Sequence, residues 1–256
     1  MKDLNKYQNF DPVKKTEAEE EACKLLGQLY TGEEFTGDEL DRAFCMMMLK
    51  NKQGSVGIEE VLCQKLGLDQ NTHKNGFDGK HKNTNELYEL KPKSDIDGPR
   101  AMFNDITPAK IEQMETTPNF KVVVGSSNKD GKLVFMVVLS GKNVAQLLKL
   151  KYYKRKESIG SGDTIGTRHT PSVSVLEYFN HFKFSGLKVV YYKKQKGFQQ
   201  SLIDNLGLTS DINEIDKIRD QEKSSDEVTI SNDAQPTPNN SMMVQMDFDS
   251  LLTSCK

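Results

Sequence analysis

The stretch NELYELKPKS, residues 85–94, alternates apolar and polar side chains and so predicts a half-buried β-strand. Successive side chains of a strand point to opposite faces, which puts Glu89 and Lys91 on one face and Leu90 on the other. Leu90 then enters a hydrophobic core, and the opposite face carries a carboxylate beside an ammonium group. Such a face suits either solvent, with a cross-strand ion pair, or a charged ligand. The strand is therefore the first candidate for a functional site.

A second carboxylate precedes this strand. Asp78 stands eleven residues before Glu89, at the end of an extended segment, and two neighbouring strands would bring the pair to one point. Carboxylate oxygens suit Mg²⁺, and the backbone carbonyl of Leu90 would add a ligand. Mg²⁺ in that position polarises a scissile phosphate, while Lys91 orients the attacking water or helps to deprotonate it. The sequence therefore predicts a metal site that acts on a phosphodiester, with Asp78, Glu89 and Lys91 as its catalytic residues.

The order Asp78 … Glu89-x-Lys91 resembles the motif of the PD-(D/E)xK nucleases, with Phe77 in the place of the motif's proline. Within that superfamily the chain is most similar to small type II restriction endonucleases of the PvuII type. The similarity covers residues 57–194. It lies in YELK (88–91), in ITPAKIEQM (106–114), in the two strands FKVVVGS (120–126) and LVFMVVL (133–139), and in TPSVSVLEYF (170–179).

The resemblance implies an α/β (α+β) fold in which a mixed sheet is flanked by helices. It also implies that Asp78, Glu89 and the backbone carbonyl of Leu90 bind Mg²⁺. Glu59 or Glu60, on the preceding helix, is a further candidate ligand, unless both face solvent. The implied activity is sequence-specific hydrolysis of double-stranded DNA by a homodimer, with a cognate DNA methyltransferase acting on the same site. The alternatives are a repair, junction-resolving or phage-encoded nuclease of the same fold, and a DNA-binding protein without catalysis.

A basic stretch is the first candidate for DNA contacts. KLKYYKRK, residues 149–156, interleaves tyrosine with lysine and ends in Lys154, Arg155 and Lys156. These side chains suit contacts with phosphates, which provide affinity without sequence information. The alternative is an ordinary solvated basic surface.

The loop at residues 157–172, ESIGSGDTIGTRHTPS, is the candidate for sequence recognition. In the resembling enzymes the corresponding loop enters the major groove. Arg168 is the side chain best suited to a bidentate contact with guanine, and His169 would add a second contact. The alternative is a surface loop without a role in recognition.

Composition limits the class of protein. The chain has 256 residues, a net charge of −2 and four cysteines, none of them in a CxxC pair. The cysteines argue against a disulfide frame or a zinc site and fit a reducing compartment. The chain lacks an apolar run of the roughly 18 residues that a membrane helix needs, and its N-terminus lacks a signal-peptide pattern. We therefore expect a cytoplasmic protein without a membrane partner.

The sequence predicts three regions. Residues 1–55 form an N-terminal helical region, in which Thr36 and Glu39 have the spacing of a capping box. Helices within residues 13–52 are the expected dimer surface. Residues 56–208 form the catalytic and DNA-recognition domain, with late strands expected at SVSVLEYF and LKVVYYKK.

Residues 209–256 are predicted to form a disordered acidic tail. They carry ten Asp or Glu against four Lys or Arg, a net of −6, and are rich in Ser, Asn and Pro. The tail ends in SMMVQMDFDSLLTSCK, residues 241–256, an apolar cluster after polar sequence. This segment either folds on a partner or packs back on the body of the protein.

Overall fold

The computed structural model describes residues 10–50, 55–72, 76–104, 106–159 and 170–213. They form a mixed α/β fold in which helices flank a central sheet, so the predicted fold class is confirmed. The helices are α1 (Glu17–Thr31), α2 (Glu39–Lys50), α3 (Ser55–Lys65), α4 (Pro108–Thr116), α5 (Gly141–Ile159), α6 (Val175–Phe182) and α7 (Gln200–Leu206). The strands are β1 (Leu68–Gln70), β2 (Gly79–His81), β3 (Leu87–Lys93), β4 (Arg100–Met102), β5 (Lys121–Ser127), β6 (Leu133–Ser140), β7 (Ser172–Ser174), β8 (Leu187–Tyr192) and β9 (Ile212–Asn213). None of the helices in these residues combines the length and the apolar character that crossing a membrane requires.

The central sheet has seven strands in the order β1-β2-β3-β5-β6-β8-β9. β3 runs parallel to β5, and the other neighbouring strands are antiparallel. A parallel pair requires a crossover, which β4 and α4 provide here. β4 pairs with β7 in a separate two-stranded sheet. The crossover leads the chain back to the level where β5 begins parallel to β3. On the way, α4 passes near β3, where its Lys110 pairs with Glu89.

Both faces of the central sheet are covered. Tyr88 and Leu90 of β3 lie in one core with α1, α2 and α3, so the predicted N-terminal helices share a core with the sheet. Val122 and Val124 of β5 lie in the other core, with α4, α5, α6 and α7. Leu90 is fully buried, which confirms the predicted orientation of its strand.

The start of α2 differs from the prediction. The Asp38 carboxylate accepts a hydrogen bond from Asp41 N at 2.9 Å, and the Asp41 carboxylate accepts one from Asp38 N at 3.1 Å. Thr36 instead donates from N and Oγ1 to the side-chain oxygen of Gln28, at 3.0 and 3.2 Å. The capping box predicted at Thr36 and Glu39 is therefore wrong, because Thr36 bonds to Gln28 of α1.

The strand predicted at SVSVLEYF ends at Ser174, where α6 begins. Glu177 N donates to Ser174 Oγ at 3.0 Å, and Ser174 N donates back to the Glu177 carboxylate at 3.4 Å. Val175, Tyr178 and Phe179 are buried at helical spacing. The prediction of one strand through this segment is therefore wrong, because the capping pair starts a helix inside it.

The chain keeps regular structure past the predicted start of the acidic tail at Thr209. Asn213, in β9, lies opposite Tyr191 of β8. Residues 214–256 lie outside the described residues. The predicted start of the tail at Thr209 is therefore too early, because the short strand β9 follows it.

We expect Ser174→Ala to lower the free energy of unfolding by about 1 kcal/mol, because it removes the oxygen that caps α6. Ser174→Thr retains a capping hydroxyl and is the matched control, with a change of roughly a few tenths of a kcal/mol. Urea denaturation followed by circular dichroism measures both. Equal stability of the two variants would contradict the capping role.

Candidate active site beside β3

Asp78 is held against β3 just outside β2. β2 begins at Gly79, opposite Tyr88, so β3 extends beyond it from Glu89 onward. Here Asp78 Oδ2 accepts a hydrogen bond from Leu90 N at 2.6 Å. Because the N–H and C=O of one strand residue point to the same side, the Leu90 carbonyl faces this place as well. The sequence predicts Asp78 at the end of an extended segment, whereas it directly precedes a strand, yet the two carboxylates are brought together.

Lys91 joins the two carboxylates. Its Nζ lies 2.6 Å from Glu89 Oε1 and 3.8 Å from Asp78 Oδ2. The same Nζ lies 5.6 Å from the centroid of the Phe103 ring. The Glu89 side chain is only 7% exposed. The predicted residues Asp78, Glu89 and Lys91 therefore form a charge cluster in which Glu89 is buried and Asp78 and Lys91 are partly buried, in contrast to a solvated strand face.

Lys110 is a member of this cluster that the sequence does not reveal. Thr107 Oγ1 accepts a hydrogen bond from Lys110 N at 3.2 Å, which places Lys110 in the first turn of α4. Its Nζ lies 3.8 Å from Glu89 Oε1, so two ammonium groups converge on one carboxylate. The only available signal is connectivity: α4 belongs to the crossover from β3 to β5, and such a crossover packs back onto its own sheet.

Of the two glutamates on α3, the structure brings Glu59 toward the cluster. The pKa of Glu59 is raised by its burial; the Glu89 carboxylate adds to this rise and the Lys91 ammonium group opposes it. Glu60 instead pairs with Lys15, with 3.8 Å between Oε2 and Nζ. Adjacent residues of a helix point about 100° apart, so only one of the two can face β3.

Burial and neighbouring charges set the protonation of the cluster. Burial raises the pKa of Asp78 to about 7, reinforced by the Glu89 carboxylate and opposed by Lys91. Burial also acts to raise the pKa of Glu89, but Lys91 and Lys110 outweigh it and the pKa is lowered. Burial acts to lower the pKa of Lys91, but Glu89 and Asp78 outweigh it and the pKa is raised. At neutral pH Glu89 and Lys91 are charged, and Asp78 titrates.

The oxygen donors of the cluster suit Mg²⁺ in kind. The carboxylates of Asp78, Glu89 and Glu59, with the Leu90 carbonyl, are the hard ligands that this ion prefers. As they stand, no group of three or more His, Cys, Asp or Glu side chains among the described residues could hold a metal ion. The Lys91 ammonium group, which lies 3.8 Å from Asp78 Oδ2 and 2.6 Å from Glu89 Oε1, compensates the charge of these two carboxylates.

The predicted phosphate-binding residues lie at the end of α5. Lys154, Arg155 and Lys156 are all exposed there. They occupy successive positions of the last turns, so their side chains spread around the helix. The structure shows a basic helix end and does not bring these residues into the charge cluster.

Arg168 and His169 lie outside the described residues. The chain beyond them is attached beside the cluster, since the Pro171 carbonyl accepts a hydrogen bond from Phe103 N at 3.0 Å. The Phe103 ring in turn lies next to Lys91. The end of the predicted recognition loop is thus fixed close to the charge cluster.

Comparison of the whole chain with protein-family models and with curated proteins finds no match. The chemistry of the cluster is therefore the basis for inferring its function. It consists of the carboxylates of Asp78 and Glu89 and the ammonium groups of Lys91 and Lys110, and it interacts electrostatically with Glu59 of α3.

We expect Asp78→Asn to stabilise the protein in EDTA at pH 8, by roughly 1–3 kcal/mol, because it removes a buried charge and keeps an oxygen that can accept from Leu90 N. The folded-state pKa of Asp78 lies above its ordinary 3.8, so the folded protein holds a proton that the unfolded chain has released. The contribution of Asp78 to the stability of the wild type therefore falls as the pH rises from 3.8 to about 7, and the advantage of Asp78→Asn over the wild type grows over the same range.

Asp69→Asn is the matched control, because Asp69 is a residue of β1 whose carboxylate lies 3.6 Å from the ammonium group of exposed Lys82. Its substitution should change the free energy of unfolding by less than about 0.5 kcal/mol at any pH. Urea denaturation in EDTA from pH 4 to pH 8 makes the comparison. Reduced stability of Asp78→Asn at pH 8 would show that the Asp78 carboxylate is fully compensated in the folded protein.

Proposed function

We propose that the chain is a Mg²⁺-dependent endonuclease of the type II restriction class, which hydrolyses phosphodiester bonds in double-stranded DNA at a specific sequence. The observation that carries the proposal is the convergence of buried Glu89 with partly buried Asp78 and Lys91 beside β3. Phosphodiester hydrolysis needs a cation at the phosphate, an oriented water and compensation of developing negative charge. These three residues have the chemistry for each of these tasks.

Asp78, Glu89 and the Leu90 carbonyl would hold Mg²⁺, with Glu59 as a further carboxylate. Mg²⁺ bound there would polarise the phosphate and lower the pKa of a bound water. Lys91 keeps its proton despite burial and contacts both carboxylates. With those carboxylates compensated by the ion, Lys91 would be available to donate to the water or to a phosphate oxygen.

Lys110 supplies a second positive charge on the same side of the site. Its side chain is 32% exposed, so it faces the solvent from which a substrate approaches, and it contacts Glu89 from α4. A phosphate beside Glu89 would therefore lie within reach of Lys110 as well as Lys91. We assign Lys110 to phosphate binding, where an ammonium group acts as a point charge.

A DNA-binding surface without catalysis accounts poorly for this arrangement. Phosphate contacts are made by exposed basic side chains, and carboxylates at the point of contact repel the backbone. The chain nevertheless buries Glu89 and partly buries Asp78 at a point that two lysines share. Burying such charges costs several kcal/mol, which a catalytic role explains and simple phosphate binding does not.

The remaining parts of the proposal concern DNA recognition and partners. Lys154, Arg155 and Lys156 would bind phosphates, and Arg168 with His169 would contact bases. A homodimer is included because symmetric cutting of both strands needs two such sites. A DNA methyltransferase that modifies the same sequence would protect the cell's own DNA, and a reducing cytoplasm is the proposed compartment.

We expect the purified protein to cut unmodified plasmid DNA into discrete fragments with Mg²⁺ and to leave it intact in EDTA. Lys91→Ala should slow cleavage at least about a hundredfold, because it removes the group that orients or deprotonates the water. Agarose gels under single-turnover conditions measure the rate, and sequencing of the fragment ends gives the recognition site.

Lys132→Ala is the matched control for Lys91→Ala. Lys132 ends a second Asp-x-Lys sequence, Asp130-Gly131-Lys132, but it is exposed beside a turn, so its removal should leave the rate unchanged. A smear in place of fragments would indicate a nuclease without sequence specificity. If the DNA stays intact, and the wild type and Lys91→Ala bind it equally well, catalysis is refuted and the protein is a DNA-binding protein.

The basic end of α5 should set the salt dependence of DNA binding. In EDTA, combined substitution of Lys154, Arg155 and Lys156 by Ala should lower the slope of log affinity against log salt by about 0.9 for each phosphate that the variant no longer neutralises. Fluorescence anisotropy over a KCl series measures this slope.

A triple variant of Lys129, Lys132 and Lys142 to Ala removes the same charge from exposed positions elsewhere and serves as the control. Its slope should remain close to that of the wild type. Equal slopes for the two triple variants would show that the end of α5 does not contact DNA.

A further inference from the structure

α2 presents an apolar stripe to solvent. Leu40, Phe44 and Met47 are 78%, 53% and 60% exposed, and Ala43 between them is exposed as well. This spacing places all four on one face of the helix, opposite Leu49, which packs in the core. Large apolar side chains that adjoin one another on a protein surface mark a place of contact. We call this face the α2 stripe.

The end of the chain contains an apolar pattern with the same spacing. In residues 241–256, which lie outside the described residues, Val244, Phe248 and Leu251 recur at intervals of four and three, followed by Leu252. Leu40, Phe44 and Met47 of the α2 stripe recur at the same intervals. Apolar residues at these intervals are the anchors by which one amphipathic segment packs against the apolar face of a helix.

The described part of the chain ends near the last residue of α1, the helix that precedes α2. Asn213 lies opposite Tyr191, and Tyr191 Oη donates a hydrogen bond to the Thr31 carbonyl at 2.9 Å. Thr31 is the last residue of α1, and α2 begins eight residues later at Glu39.

The length of chain that follows is sufficient for the contact. Thirty residues separate Asn213 from Val244. Even a random coil of that length spans about 30 Å, whereas a helix of twelve residues, the length of α2, measures about 18 Å. The segment can therefore reach any point of the α2 stripe.

We infer that residues 242–252 pack on the α2 stripe of their own chain. The tether makes this contact intramolecular, with an effective concentration on the order of millimolar, so a modest apolar contact suffices to keep the stripe covered. Of the two interpretations that the sequence allows for this segment, packing on the body is the one supported by the exposed stripe and the position of Asn213. This contact on α2 does not depend on nuclease activity.

The test uses the full chain with Ala43→Cys, which adds a thiol to the α2 stripe, and native Cys255, three residues after Leu252. A short bismaleimide should link Cys255 to the new thiol within one chain, as shown by the monomer band on a denaturing gel and by peptide mass spectrometry. Phe248→Asp in the same chain should slow this link at least about fivefold, because it places a charge in the apolar contact. The chain without Ala43→Cys accounts for reaction of the buried thiols.

Ser250→Asp is the matched control, because it adds the same charge on the opposite side of the pattern formed by Val244, Phe248 and Leu251. It should leave the rate of the intrachain link unchanged. A link that forms only between two chains would overturn the inference and show that a second copy covers the α2 stripe. Equal intrachain rates with and without Phe248→Asp would also overturn it, since tethering alone would then account for the link.

Discussion

The hydrogen bond from Leu90 N to Asp78 Oδ2 is the constraint on which the site depends. Asp78 belongs to no strand, and this bond fixes it to the strand that carries Glu89 and Lys91. The Leu90 side chain is fully buried against α3, so the amide that Asp78 contacts is held by the core. Because β2 begins only at Gly79, the place beside Leu90 is free for a carboxylate in place of another strand residue. A packed core thereby sets the position of a polar site.

The cluster holds charged groups in a place where burial disfavours their charge. Lys91 and Lys110 keep Glu89 ionised in a buried position, whereas the same burial raises the pKa of Asp78 to about 7. A fold selected for stability alone would replace such a group with an apolar side chain, since buried ion clusters are weak stabilisers. Perturbed pKa values in a group of carboxylates and ammonium groups are instead typical of functional sites. Under the proposed function, bound Mg²⁺ and a phosphate would compensate these charges.

The sequence predicts the parts of the fold and of the site that depend on local period. Alternation along β3 determines which way Leu90, Glu89 and Lys91 point, and all three lie as predicted. The segment after Ser174 is mispredicted because its apolar residues satisfy both a strand and a helix, and only the reciprocal bond with Glu177 decides for the helix. Site residues that lie far apart in sequence, such as Glu59 and Lys110, are harder to predict. Whether they meet depends on how α3 and α4 pack on the sheet.

The same limit explains why a short charged motif cannot be interpreted by itself. Asp130-Gly131-Lys132 has the spacing of Glu89-x-Lys91, yet Gly131 adopts a φ of +78° in a turn and Lys132 is exposed. In that turn each charge faces water and the effective dielectric constant is high, so the two groups scarcely affect one another. Glu89-x-Lys91 differs because its strand is internal to the sheet, Lys110 of α4 pairs with Glu89, and Asp78 is bonded to Leu90 N between the two. The strong interaction between Glu89 and Lys91 thus depends on the position of the motif in the sheet, and the residue types alone do not produce it.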